Sequence, residues 1–276
     1  LHSPRRRQRQ MCIRDRPGVI ERFSQIKPKL LVITDKYYYN GKEINIIERL
    51  PKILKKIKSI KSVLILNYPG KKLRKFNKIK NIKIYNFTEI KKLEISRNKL
   101  KKFDFDHELA ILYSSGTTGK PKCICHRSGG VLLQHLKEHQ LHCNIKPNDN
   151  VFYFTTCGWM MWNWLVTALA SKASILLFDG FPMYKSPELL LKIANKEKVT
   201  LFGISAKYID QLIKHKVKVK DKIKLKSLNT ICSTGSPLSK DGFEFVYKNI
   251  KKNVHLASIS GGTDIVSCFV NGNIYS

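Results

Sequence analysis

Apolar and polar positions follow two rhythms along this chain. Nine short apolar runs, most of them rich in β-branched and aromatic residues, read as strands: "KLLVITD" (29–35), "SVLILN" (62–67), "IKIYNF" (82–87), "LAILYSS" (109–115), "VFYFTT" (151–156), "SILLFD" (174–179), "VTLFGIS" (199–205), "LNTICSTG" (228–235) and "VHLASIS" (254–260). Between them, apolar residues recur every three or four positions at 130–142, 160–171, 187–197, 205–215 and 239–250, which predicts helices. In the first of these, Val131, Leu132, Leu136 and His139 fall on or near one face. "EINIIERLPKILKKI" (43–57) also has helical spacing, interrupted or restarted at Pro51. Strands alternating with helices imply crossover connections, so the predicted fold class is α/β with largely parallel sheets. Four polar loops, "SSGTTGK", "TTCGW", "STGSPLS" and "SISGGTD", each follow a predicted strand. Ligands gather at the carboxyl ends of parallel strands, so these loops are expected to converge on one cleft.

Composition adjusts this picture in a few places. With 276 residues, 42% of them hydrophobic, the chain can bury a sizeable core. No apolar run approaches the roughly 20 residues that span a bilayer, and no signal segment opens the chain. A soluble, cytoplasmic protein is the expectation. Seven cysteines without a CxxC pair, the nearest being Cys123 and Cys125, fit free thiols in a reducing compartment.

A formal net charge of +32 raises nucleic-acid binding as an alternative from another class. The distribution argues against it. Lysines number 41 and arginines 11, seven of the latter within the first 22 residues. Nucleic-acid readers favour the bidentate fork of arginine. The lysine-dense stretches, 52–102 and the alternating "KHKVKVKDKIKLK" (214–226), are therefore expected to be solvated faces. Residues 1–16, rich in Arg and Gln and without periodicity, are expected to be a foreign or artefactual segment; residues 17–276 carry the fold.

The loop "YSSGTTGKPK" (113–122) carries the clearest chemistry. The run "ELAILY", expected as a buried strand, leads into it. Glycines allow a tight turn and close backbone approach, and consecutive N–H groups in such a turn form an anion nest. Hydroxyls add donors, and Lys120 and Lys122 add positive charge. The combination suits a polyphosphate. It is not a P-loop: Gly116 and Gly119 are too close, and Pro121 follows the lysine. Elsewhere, His135, His139 and His142 beside Cys143 could form a zinc face, though no second ligating segment is apparent. Trp162 and Trp164 read as core aromatics. Cys125 and His126 could suggest a thiol nucleophile, but nothing in the sequence orients them as a pair.

"SSGTTGKPK" resembles the phosphate-binding signature of the acyl-adenylate-forming (AMP-binding) enzyme superfamily. "GWMMWN", "STGSPLS" and "LASISGGTDI" resemble its acetoacetate–CoA ligase branch, and the similarity runs from about Pro17 to the last residue. The resemblance implies most of a large adenylation domain, with ATP and Mg²⁺ as cofactors, CoA as co-substrate and small molecules as partners. It implies that Ser114, Ser115, Gly116, Thr117, Thr118, Gly119 and Lys122 hold the β- and γ-phosphates. Thr263 would touch the α-phosphate and Asp264 would help to hold Mg²⁺. Gly235, Ser236 and Pro237 would pack on adenine, beside Ser258, Ile259 and Ser260. Trp159, Met160, Met161, Thr234 and Gly261 would line the acyl pocket. Gly261, standing where acetate-specific relatives carry a bulky Trp, is expected to leave room for a longer acyl chain. Another short-chain acyl-CoA synthetase is the alternative within the superfamily. "HRSGG" (126–130) departs from the usual two-histidine form, which leaves the role of Arg127 open. Relatives continue beyond the counterpart of "CFVNGNIYS" into a ribose-binding Asp, a hinge and a small domain with a catalytic Lys. The chain is therefore expected to be part of a longer protein.

Overall fold

The computed structural model describes residues 16–68, 81–90, 101–114, 119–220 and 222–274. They fall into two compact units, 1–103 with 113–123, and 104–112 with 124–276.

In the first unit, α1 (Arg16–Ile26) precedes β1 (Leu30–Thr34). A β2–β3 hairpin (Lys36–Tyr39, Lys42–Asn45) follows, turning through Asn40 and Gly41, both with positive φ. Next come α2 (Leu50–Lys56), β4 (Ser62–Leu66) and β5 (Lys83–Asn86), and the parallel sheet has the order β1-β4-β5. Leu31, Leu50, Ile53, Leu54, Val63 and Ile65 form its core. The helix expected from 43 therefore starts later, at Leu50. Glu43, Ile44 and Asn45 pair with β2 instead, and Pro51 sits in the first helical turn, where its missing N–H costs nothing.

Strand β6 (Glu108–Ser114) pairs with β7 (Lys122–Arg127), the strand formed by "KCICHR". The expectation of a buried strand at "ELAILY" is corrected: Leu109 and Ile111 are exposed. The strand belongs to a two-stranded ribbon, and such a ribbon covers neither of its own faces.

The second unit holds a five-stranded parallel sheet, β12-β11-β10-β8-β9, formed by His255–Ser258, Thr230–Thr234, Leu201–Ser205, Asn150–Tyr153 and Ser174–Leu176. Helix α3 (Ser128–Lys137) leads into this sheet, and α4 (Met160–Thr167), α5 (Leu189–Lys196), α6 (Ala206–Lys214) and α7 (Lys240–Phe245) supply its crossovers, as the alternation predicts. Ser205 and Ser239 cap α6 and α7 by accepting from the Tyr208 and Gly242 amides at 3.3 and 3.1 Å. Phe152, Phe202, Ile204, Ile209, Leu212 and Ile231 fill the larger core. A short antiparallel pair, β13 (Ser260–Gly262) and β14 (Ser267–Val270), follows the sheet.

The lysine run behaves as a solvated face. Val217, Val219, Ile223 and Leu225 are buried, while Lys216, Lys218, Lys220, Lys222, Lys224 and Lys226 are exposed. Much of 52–102 lies outside the described residues. No helix among the described residues is long and apolar enough to cross a membrane.

Candidate active site

The glycine-rich loop is carried by the β6–β7 ribbon, so it does not extend from the parallel sheet as expected. Ser115, Gly116, Thr117 and Thr118 lie outside the described residues. Ser114 ends β6, and Gly119 has φ +140, a backbone state that only glycine adopts without strain. Lys120 and Lys122 are exposed and make no ion pair among the described residues, so both charges are open to an anion. Within the same unit the loop's flanks are tethered: Gln25 donates to the Pro121 carbonyl at 3.2 Å, and Tyr113 donates to the Arg22 carbonyl at 3.4 Å.

In the second unit the other polar loops leave the carboxyl ends of β8, β11 and β12, as expected. Gly235 turns with φ +86, and Ser236 and Pro237 follow it. The Leu238 amide donates to Ser258 Oγ at 3.3 Å and the Ile259 amide to the Ser233 carbonyl at 2.7 Å, so the two segments assigned to adenine lie side by side. The Tyr153 hydroxyl meets Thr234 Oγ1 at 3.0 Å. Tyr153 reaches it because Gly203, paired with it across the sheet, has no side chain: a Cβ there would lie 2.0 Å from the Tyr153 ring. Met160, Met161 and Ile259 pack on one cluster with Tyr153, Trp164, Cys232 and Ala257. Trp164 is thus a core aromatic, while Trp159 is 42% exposed at the N-cap of α4.

Gly261 is held by its neighbours rather than by an unusual φ. A Cβ there would meet the Ser267 carbonyl oxygen at 2.2 Å and Cys268 Cα at 2.6 Å. Close approach of β13 to β14 by itself excludes a side chain. Thr263 and Asp264 lie in the turn after β13, where His126 holds the Thr263 carbonyl through Nε2 at 2.8 Å. That bond orients His126 toward the turn, and among the described residues Cys125 makes no hydrogen bond to it. The Asp264 carboxylate is exposed and makes no ion pair among the described residues. A cleft of about 390 Å³ lies nearby, lined in part by His126, Arg127, Gln134, Val266 and Ser267. Arg127 donates to the Asp106 carbonyl at 3.0 Å and faces Glu108 at 3.5 Å, which gives it a role in anchoring local backbone.

The three histidines do not form one metal face. His135 contacts Thr167 and the Val266 carbonyl, and His142 contacts the Gly272 carbonyl. His139 is buried edge-on against Trp164, and among the described residues neither of its ring nitrogens has a hydrogen-bond partner. Burial, reinforced by nearby His135, holds its pKa down to about 3. Helix α3 ends in a π-turn at Glu138–His142. The buried face of this element is Val131, His135, Glu138 and His139, whereas Leu132 and Leu133 are exposed. Sequence reading singled out neither Tyr153, Glu138 nor Ser267, and it gave His126 no partner. Their partners lie tens of residues or more away along the chain, so no local pattern marks them.

The AMP-binding enzyme family model matches residues 18–273, nearly the whole described fold. The chain belongs to the AMP-binding enzyme family. Within this family it is 45% identical to acetoacetyl-CoA synthetase of Gallus gallus over 260 residues, and 46% identical to acetoacetyl-coenzyme A synthetase of Rhizobium meliloti (strain 1021) over 257. Each alignment covers 93% of this chain and 39% of the relative. The solved acetoacetyl-CoA synthetase from Streptomyces lividans superimposes with a TM-score of 0.84 at 33% identity, over 92% of this chain and 39% of that one. The α/β reading of the fold is thereby established.

Proposed function

We propose that the protein carrying this chain is an AMP-forming acid–thiol ligase that converts acetoacetate to acetoacetyl-CoA in the cytoplasm, with ATP and CoA as its other small-molecule substrates. The observation that carries this reading is the agreement of animal, bacterial and structural relatives: each is an acetoacetyl-CoA synthetase, aligned over nearly all of this chain. The solvated lysine face supports it over nucleic-acid binding.

The chemistry explains the site. A carboxylate is a poor electrophile because oxide is a poor leaving group. Attack of the acetoacetate carboxylate on the α-phosphorus of ATP forms acetoacetyl-AMP and releases pyrophosphate. Attack of the CoA thiolate on the activated carbonyl then releases AMP. The residues need only hold and screen the reactants. Ser114 to Gly119 and Lys122 cradle the β- and γ-phosphates, and Thr263 meets the α-phosphate. Gly235, Ser236, Pro237 and Ser258 to Ser260 form the adenine face. Trp159, Met160, Met161, Thr234 and Gly261 line the acyl pocket. The exposed, unpaired Asp264 carboxylate fits a hydrated Mg²⁺, which keeps several waters and takes one or two carboxylates alongside substrate phosphates. When bound, that ion would screen phosphate charge.

ATP–pyrophosphate exchange by the full-length protein tests the proposal, with acetoacetate, acetate and butyrate as the driving acids. Exchange fastest with acetoacetate is expected. A preference for acetate or butyrate would place the protein among other short-chain acyl-CoA synthetases.

A further inference from the structure

One short element makes the same bridge twice. From α3 and its π-turn, His135 and Glu138 each reach both α4 and the β13–β14 hairpin. His135 Nδ1 meets Thr167 Oγ1 at 3.0 Å, and its Nε2 meets the Val266 carbonyl at 2.8 Å. Glu138 Oε2 accepts from Trp164 Nε1 at 2.9 Å. Its Oε1 accepts from the Cys268 amide at 3.2 Å, from Gln134 Nε2 at 3.0 Å and from Ser267 Oγ. Both side chains are buried, to 0% and 2% exposure. A buried carboxylate is tolerated only when its lone pairs are filled, and here four donors fill them. π-turns of this kind are rare and concentrate at functional sites.

The two segments joined are the two that carry the acyl-pocket residues. Trp164 is one helical turn after Met160, on the same face of α4. Cys268 is the β-ladder partner of Gly261, and Ser267 is the partner of Gly262. On each side the clamp is thus one residue contact from the pocket.

We propose that His135 and Glu138 are positioning residues that fix the separation of α4 from the β13–β14 hairpin, and thereby set which short β-keto or aliphatic carboxylate the enzyme prefers. This rests on the reading of Met160, Met161 and Gly261 as pocket residues. Neither side chain touches substrate; each acts through the walls it joins. Rigid walls let a pocket distinguish acids differing by one polar group, because an acid that leaves a buried polar group unpaired is rejected.

Two variants disconnect the clamp while keeping local shape, Thr167→Val on the α4 side and Ser267→Ala on the hairpin side; Trp164→Phe removes the α4-side bond to Glu138 as well but leaves a cavity. The readout is kcat/KM for acetoacetate over that for butyrate, which has the same chain length without the ketone, measured in the full-length protein together with the KM for ATP. Each variant is expected to lower the ratio about tenfold through the acid's KM, while the KM for ATP changes by less than about twofold. Thr167→Val is nearly isosteric and half-buried, so it decides the matter alone if the others do not fold. A ratio unchanged in Thr167→Val overturns the clamp, as does an equal loss on both acids with a raised KM for ATP. Met161→Ala separates the two readings. If it shifts the ratio and the clamp variants do not, the clamp alone is wrong; if it shifts nothing either, the acyl-pocket assignment itself fails.

Discussion

Replacing Gly261 by Ala adds one methyl group, and the structure says where it goes. The new Cβ lies 2.2 Å from the Ser267 carbonyl oxygen and 2.6 Å from Cys268 Cα. Comfortable carbon contacts lie near 3.5–4 Å, so β14 must withdraw by about 1 Å. The obstacles are backbone atoms, so no side-chain rotation relieves the clash. The same movement stretches the bond from the Cys268 amide to Glu138, now 3.2 Å, beyond hydrogen-bonding range. Overpacking costs about 1–3 kcal/mol. Weakening a hydrogen bond to a charged, buried carboxylate adds about 1.5–3 kcal/mol. A total of roughly 2.5–6 kcal/mol corresponds to a fall in Tm of about 5–24 °C, at roughly 2–4 °C per kcal/mol for a domain of this size. Thermal unfolding followed by circular dichroism measures it. A Gly261→Ala protein within about 2 °C of the parent would refute the reasoning, because the strand pair would then have slack that the geometry denies. The pattern in the sequence suggests that Gly261 leaves room for acetoacetate, whereas the structure gives the missing side chain a reason of its own. Gly261→Ala should therefore lower activity on acetoacetate whether or not the methyl group enters the acyl pocket, because it displaces the strand that carries the Cys268–Glu138 bond.

Three other expectations follow from single residues. Asp264→Asn keeps the side chain's shape but removes its charge, so the Mg²⁺ concentration needed for half-maximal pyrophosphate exchange should rise; an unaltered Mg²⁺ dependence would remove Asp264 from the metal's surroundings. Thr117→Ala combined with Thr118→Ala should slow exchange by orders of magnitude, since each lost donor to developing charge costs about 2.7–4 kcal/mol in comparable sites, and unchanged exchange would sink the phosphate assignment. His139 is neutral in the fold, with a pKa of about 3 against 6.5 when unfolded, so stability should decline as pH falls through that window, because the unfolded chain takes up a proton that the folded one refuses. His139→Phe should flatten that decline, though not abolish it, since burial also lowers His135 and His255; denaturant midpoints near neutral pH and near pH 5 compare the two proteins, and identical slopes would contradict the argument.

The sequence by itself determined the alternation of strands and helices, three of the four carboxyl-end loops and the family. These features are local: an apolar run of five residues or a repeat of three to four is written into neighbouring positions, and so is a glycine–hydroxyl–lysine loop. Element ends came within a few residues for β1, β4, β10 and β11. Reading failed where pairing decided the outcome. Residues 43–45 have helical spacing, yet a partner strand at 36–39 claims them. "ELAILY" has the composition of a buried strand, yet its ribbon leaves Leu109 and Ile111 in solvent. On α3 the polar Glu138 and His135 are inside and Leu132 and Leu133 are outside. Burial there follows hydrogen-bond partners that, apart from Gln134, stand 26 to 131 residues away, not apolar character. Only the tertiary structure brings Trp164, Ser267, Cys268 and Glu138 to one point, and a buried charge is stable only after those donors have arrived.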